Sequence, residues 1–148
     1  MHSIQATFTA LALCAVAASS ALAQSDFAQV AAKESGAKVT ASGLVFRSLQ
    51  DGQGASPSAT DKVKVHYRGT FPDGKEFDSS YKRNQPIDFP LNAVIPCWTE
   101  GVQLMKVGGK AKLTCPPGIA YGARGAGGVI PPNATLQFEV ELIAIAGR

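Results

Sequence analysis

Most enzymes depend on residue types that this sequence hardly contains. Histidine occurs only at His2 and His66, tryptophan only at Trp98, and cysteine only at Cys14, Cys97 and Cys115. A nucleophilic enzyme needs a base beside its nucleophile, and past residue 23 the one imidazole available is His66. A Cys97–His66 pair competes with a solvated or locally hydrogen-bonded histidine, since His66 alternates onto the polar side of its segment. Cys97 and Cys115 with one histidine form no recognisable metal-ligand set. Gly-x-Ser-x-Gly is absent, and Gly122, Gly125, Gly127 and Gly128 match neither a dinucleotide fingerprint nor a phosphate loop, whose Lys-Ser/Thr pair is missing. The expectation is chemistry without nucleophile, metal or cofactor. Charge of one sign is also scarce: 14 basic and 11 acidic residues leave a net +3 with no long run of either, which argues against nucleic acid or a membrane surface as partner.

Long apolar runs are confined to the start of the chain. Phe8 to Ala18 is uncharged and apolar, too short to span a bilayer, and Ala21-Leu22-Ala23 follows as an A-x-A cleavage pattern. Residues 1–23 therefore read as a secretion signal, although no Lys or Arg precedes the run. The competing reading is a flexible apolar N-terminus on a cytoplasmic protein. Leu13 stands before Cys14 where a lipoprotein signal needs a small residue, so lipid anchoring is a minor alternative. Export to the periplasm or the exterior is the expectation. What remains is a chain of about 125 residues, one ordinary domain with room for a self-sufficient core. It keeps two cysteines, and an even pair in an exported domain suggests a Cys97–Cys115 disulfide. Such a bond would close a loop of roughly 19 residues, worth about 3 kcal/mol. Two separate buried thiols are the alternative.

Residues 24–42 are rich in Ala, Ser, Lys and Gln, with one amphipathic stretch, Phe27 to Glu34, too brief to be a stable helix alone, and read as a loosely docked extension. Asp51 to Thr60 is a surface loop of Gly, Ser, Pro and Ala. Period two then takes over: Val63, Val65 and Tyr67 share one face, and Lys62, Lys64 and His66 the other. Alternation returns at Ile87-Asp88-Phe89, Lys110 to Cys115 and Leu136 to Leu142. One helix is predicted between them, with Pro96 in its first turn, Trp98, Val102 and Met105 on one stripe, and Gly108-Gly109 as the stop. A single helix packing on an antiparallel sheet makes an α+β fold. Tyr121 to Pro132 is a Gly-rich loop whose apolar pair, Val129-Ile130, no strand accounts for.

Five scattered pieces carry the functional signal: Val65-His66-Tyr67-Arg68-Gly69-Thr70, Phe77-Asp78-Ser79-Ser80, Val94-Ile95-Pro96-Cys97-Trp98, Ile119-Ala120-Tyr121-Gly122, and Val129-Ile130-Pro131-Pro132 with Phe138. They combine aromatic and aliphatic side chains with a very small polar set, as an apolar ligand's pocket requires. In order and spacing, from Ser42 to the C-terminus, the chain resembles FKBP-type peptidyl-prolyl cis-trans isomerases, the immunophilins that bind macrolides of the rapamycin class. The resemblance implies a curved antiparallel sheet of five or six strands wrapped around one short helix, within an isomerase domain over residues 43–148. Clients would be proline-containing polypeptides.

The same resemblance implies roles for individual residues. Trp98 would floor the prolyl site, Tyr67, Phe77 and Phe138 would wall it, and Val94 and Ile95 would form one rim. Tyr121 would offer its hydroxyl to a substrate carbonyl, with the Ile95 amide as a second donor, and Val129 and Ile130 would close the other rim. Asp78 would hold the Tyr67 hydroxyl and pair with Arg83. Ile87 stands where some relatives have an aromatic, Ala126 where some have a larger residue, and Cys97 where a glycine is common. The chain is similar to exported members of the macrophage infectivity potentiator group, whose long helical dimerisation arm residues 24–42 are too few to supply. A monomer is therefore expected. Two rivals remain: a binding module or chaperone of the same fold with little catalysis, and a thiol redox protein, for which a Cys-x-x-Cys is lacking.

Overall fold

The computed structural model describes residues 27–147, so the expected signal over residues 1–23 lies outside the described residues. Seven strands form one antiparallel sheet: β1 (Ala37–Val39), β2 (Val45–Gln50), β3 (Lys62–Thr70), β4 (Glu76–Ser79), β5 (Ile87–Pro90), β6 (Lys110–Cys115) and β7 (Leu136–Ile145). The order across the sheet is β1-β2-β6-β7-β3-β4, and β5 also pairs with β3. Helix α1 (Pro96–Gln103) covers one face of the sheet. No helix among the described residues is long and apolar enough to cross a membrane.

Period-two patterning decides which face α1 meets. Val63, Val65 and Tyr67 of β3 and Leu136, Phe138, Val140 and Leu142 of β7 are buried, and α1 lays Cys97, Trp98 and Val102 against them. Burying each aliphatic side chain of this set contributes roughly 1.5–3 kcal/mol. The opposite face is polar but ordered: Lys110 stands in register with Glu141, and Lys112 with Glu139. Opposite charges facing each other across a ladder support that register. His66 stacks on Tyr81 at 4.6 Å, and the Tyr81 hydroxyl donates to Glu141 at 2.9 Å. Burial, helped by that carboxylate, pushes the Tyr81 phenol up to about 12.

The outer edge of β3 is divided. β4 covers Arg68–Thr70 and β5 covers Lys62–Val65. Ser80 fills the gap: its amide donates to the Tyr67 carbonyl at 3.0 Å, and its Oγ accepts from the Tyr67 amide at 2.7 Å. Both backbone groups of a buried residue are thereby paired where neither strand reaches.

Three features differ from the sequence reading. The helix ends at Gln103, short of Met105, because the amides of Leu104 and Met105 turn back to Gly101 and Val102 at 3.1 Å in a tighter i→i+3 pattern. Met105 is buried all the same. The sheet has seven strands, and β1 comes from the segment read as loosely docked. Ala37–Val39 pair with Val45–Arg47, Ala31 is buried, and the Glu34 carboxylate bridges Arg47 at 2.6 Å and Lys112 at 2.7 Å. A strand of three residues is too short to show periodicity, so only its pairing with β2 reveals it. The expected disulfide, by contrast, is present: Cys97 of α1 and Cys115 of β6, both fully buried, are bonded with Cα atoms 5.8 Å apart.

Candidate active site

Trp98 occupies the first turn of α1, and three rings stand around it almost perpendicular to the indole plane. Tyr67 lies 5.2 Å away at 80°, Phe89 5.5 Å at 80°, and Phe138 5.4 Å at 90°. Edge-to-face contacts of this kind are the favoured aromatic geometry, so the walls hold their angle to the floor. Phe77 of β4 extends the wall, meeting Phe138 at 5.7 Å and 85°. It comes this close because Gly69 of β3 has no side chain: a Cβ there would lie 2.5 Å from the Phe77 ring and 3.0 Å from that of Phe138. Trp98 is 4% exposed, and its indole N–H is buried without a hydrogen-bond partner among the described residues. The floor thus carries an unsatisfied donor, which costs roughly 1–3 kcal/mol.

The polar part of the site is small. The Tyr67 hydroxyl donates to Asp78 Oδ2 at 2.5 Å, Arg83 Nη1 donates to Asp78 Oδ1 at 2.8 Å, and Arg83 Nη2 donates to the Tyr67 oxygen at 3.1 Å. Asp78 Oδ1 also accepts from the Ser79 amide at 2.9 Å. Burial alone would raise the Asp78 carboxyl, but hydrogen bonds from Arg83 and Tyr67 outweigh it and hold the group below the ordinary aspartate value. Burial and the hydrogen bond to Asp78 raise the Tyr67 phenol. Neither group changes charge near neutral pH. His66 is on the other face of the sheet, its Nδ1 2.9 Å from Ser80 Oγ. Among the described residues no cluster of His, Cys, Asp and Glu is arranged to hold a metal.

The rims differ in how they are held. Val94 and Ile95 pack partly buried against the core just before α1, and the Ile95 amide donates to no backbone acceptor among the described residues. The Gly-rich loop closes on itself through a bridge between Ala126 and Ile130, with 2.9 Å hydrogen bonds in both directions. Gly125 makes this closure possible, at φ +67° and with only 2.3 Å between a hypothetical Cβ and the Ile130 carbonyl oxygen. The bridge separates the expected pair: Ile130 is buried in the core cluster, whereas Val129 is 56% exposed. Tyr121 is 39% exposed and its hydroxyl makes no hydrogen bond among the described residues. Ile87 packs partly buried beside Phe89.

Sequence reasoning passed over Phe89, which contributes a full wall. The signal was available, because Phe89 shares a strand face with Ile87 across Asp88, and register places it opposite Val63. Gly69 was also passed over, since a missing side chain acquires meaning only once Phe77 is seen across it.

Residues 53–143 match the family described as FKBP-type peptidyl-prolyl cis-trans isomerase. The chain belongs to that family. Among curated relatives, FKBP-type isomerase FkpA of Aeromonas hydrophila is 59% identical over 114 residues, covering 77% of this chain and 42% of the relative. The FKBP-type 22 kDa isomerase of Escherichia coli is 54% identical over 114 residues, covering 77% of this chain and 55% of its own length. This FKBP-type chain therefore spans about half the length of those relatives. Among solved structures, FkpA from Escherichia coli superposes with a TM-score of 0.83 at 46% identity, covering 88% of this chain and 61% of that one. A peptidyl-prolyl cis-trans isomerase from Pseudomonas syringae gives a TM-score of 0.79 at 42% identity, covering 86% and 94%.

Proposed function

We propose that this FKBP-type chain accelerates cis-trans rotation about X-Pro bonds in polypeptide clients, and that it does so in the periplasm or outside the cell after removal of residues 1–23. The observation that carries the reading is the indole floor ringed at near-right angles by Tyr67, Phe89 and Phe138. Rotation breaks no bond: the amide must only leave planarity, against a barrier of about 18–20 kcal/mol. The planar amide is polarised by resonance, and the twisted form loses much of that charge separation. An apolar basin therefore disfavours the planar form more than the twisted one. Turnover near 10³ per second needs a barrier of roughly 13 kcal/mol, so the site must supply about 6.

In this reading the prolyl ring lies on Trp98, and Tyr67, Phe77, Phe89 and Phe138 exclude water from it. The Ile95 amide and the Tyr121 hydroxyl, for which no hydrogen-bond partner stands among the described residues, are offered to client carbonyls. Asp78 and Arg83 fix the Tyr67 ring and exchange no proton with the client. The apolar rim of Ile87, Val94, Val129 and Ile130 favours an apolar residue before proline and also suits macrolides of the rapamycin class. The domain acts as a monomer.

A protease-coupled assay on a Leu-Pro tetrapeptide tests this. Acceleration by the wild type is expected, with kcat/KM reduced at least tenfold in Tyr67→Ala and Phe138→Ala while both variants still melt cooperatively. No acceleration, or unchanged rates in both variants, would instead make the chain a binding module.

A further inference from the structure

The solvent side of α1 borders a groove of about 650 Å³ whose lining includes, of the residues placed in the site above, Val94 at the proposed rim. Its volume falls in the range of roughly 300–1,000 Å³ common among ligand clefts. Val94, Pro96, Leu104 and Ile119 supply apolar lining, and Glu100 is the one charged residue among those that line it.

The groove shares Val94 with the rim proposed for the aromatic site. Pro96 follows Ile95, and Ile119 lies two residues before Tyr121. A polypeptide with its prolyl ring on Trp98 that leaves past Val94 meets the groove that Val94 lines. Leu104 is 51% exposed there, an apolar side chain left for an occupant to cover. Glu100 is fixed in place from outside the helix: Thr40 Oγ1 and Ser42 Oγ both donate to its Oε1, at 2.8 and 2.7 Å. Oε2 has no hydrogen bond among the described residues. Both hydroxyls lie between β1 and β2, so the N-terminal hairpin orients this carboxylate.

We propose that the groove is an extended subsite of the isomerase, holding client residues that flank the proline, with an apolar side chain on Leu104 and Ile119 and a Lys or Arg side chain on Glu100. The proposal rests on the isomerase reading, and its test separates the two. Peptides of about ten residues carry a central Leu-Pro with Lys, or alternatively Glu, two and three positions from it; a bare Leu-Pro tetrapeptide is the control. For the wild type, kcat/KM for the Lys peptide is expected to exceed that for the Glu peptide roughly two- to fivefold, as a surface charge pair allows. In Glu100→Gln that ratio should fall to near one, and about 0.5 M salt should shrink it in the wild type. Leu104→Asn should lower kcat/KM for peptides with an apolar flank. Both variants should leave the tetrapeptide rate unchanged. A Lys-to-Glu ratio that survives Glu100→Gln, or a loss of rate on the tetrapeptide as well, overturns the subsite. Should the tetrapeptide not be accelerated at all, the isomerase reading fails, and binding of the same long peptides, followed by anisotropy, still decides whether Glu100 and Leu104 recognise them.

Discussion

Asp78 hydrogen-bonds the Tyr67 wall of the aromatic basin, and its environment assigns it to positioning. Its carboxylate is stabilised by Arg83 and the Tyr67 hydroxyl, and its pKa lies below the ordinary value, so it is a poor base near neutral pH. The Tyr67 phenol is raised and stays protonated over the same range. Catalysis is therefore expected to be flat between about pH 5.5 and 8.5, and kcat/KM against pH for a Leu-Pro peptide checks this. A bell-shaped profile would show a proton in flight. The sign for stability follows from the lowered Asp78 value: its contribution is present above the unfolded aspartate pKa, near 3.9, and is lost as pH falls through the folded one. Asp78→Asn keeps the shape but weakens the pairing with Arg83. About tenfold lower kcat/KM is expected, the equivalent of one charge-assisted hydrogen bond of roughly 1.4 kcal/mol, with the pH profile still flat.

At the scale of elements, the disulfide ties the first turn of α1, which carries Trp98, to the end of β6, from which the chain runs through a 3-10 turn (Pro117–Ile119) to Tyr121. Replacing both cysteines with alanine should cost about 3 kcal/mol and lower the melting temperature by on the order of 10 °C, measured by calorimetry. The unreduced, denatured wild type should expose no thiol at Cys97 or Cys115 to a labelling reagent. Much of this architecture could be read in advance. β3 and β7 alternate over enough residues for period two to emerge, and Trp98 and Val102 outline the buried stripe of α1, with Met105 buried just beyond its end. Ile130 was recognisable because an isoleucine in a Gly-rich loop needs something to meet. What could not be read depends on partners distant in sequence: β1 exists through β2, the end of α1 through its final tightened turn, and the exposure of Val129 through the Ala126–Ile130 bridge. Phe89 could have been found by following Ile87 along its strand.

Over the whole molecule, the N-terminal hairpin connects the sheet edge to the proposed subsite, and Glu34 anchors it. Lys112, joined by Arg47, holds the Glu34 carboxyl below its usual value against the opposing effect of burial. This anchorage is present above the ordinary glutamate pKa, near 4.3, and weakens as pH falls through the folded value. Glu34→Ala should cost about 0.5–1 kcal/mol at neutral pH, seen as faster hydrogen exchange at residues 37–39 with little change in global melting. If the hairpin amides stay as protected as in the wild type, Glu34 is not the anchor. The arrangement of strand lengths has a further result. β3 and β7, of nine and ten residues, lie inside the sheet, whereas β1, of three, and β4 and β5, of four each, make its margins. Unfolded polypeptides join proteins most readily through long unpaired borders. To clients of the proposed kind such margins offer only stubs, and among the described residues the outermost strands give a sticky guest little length along which to keep zipping.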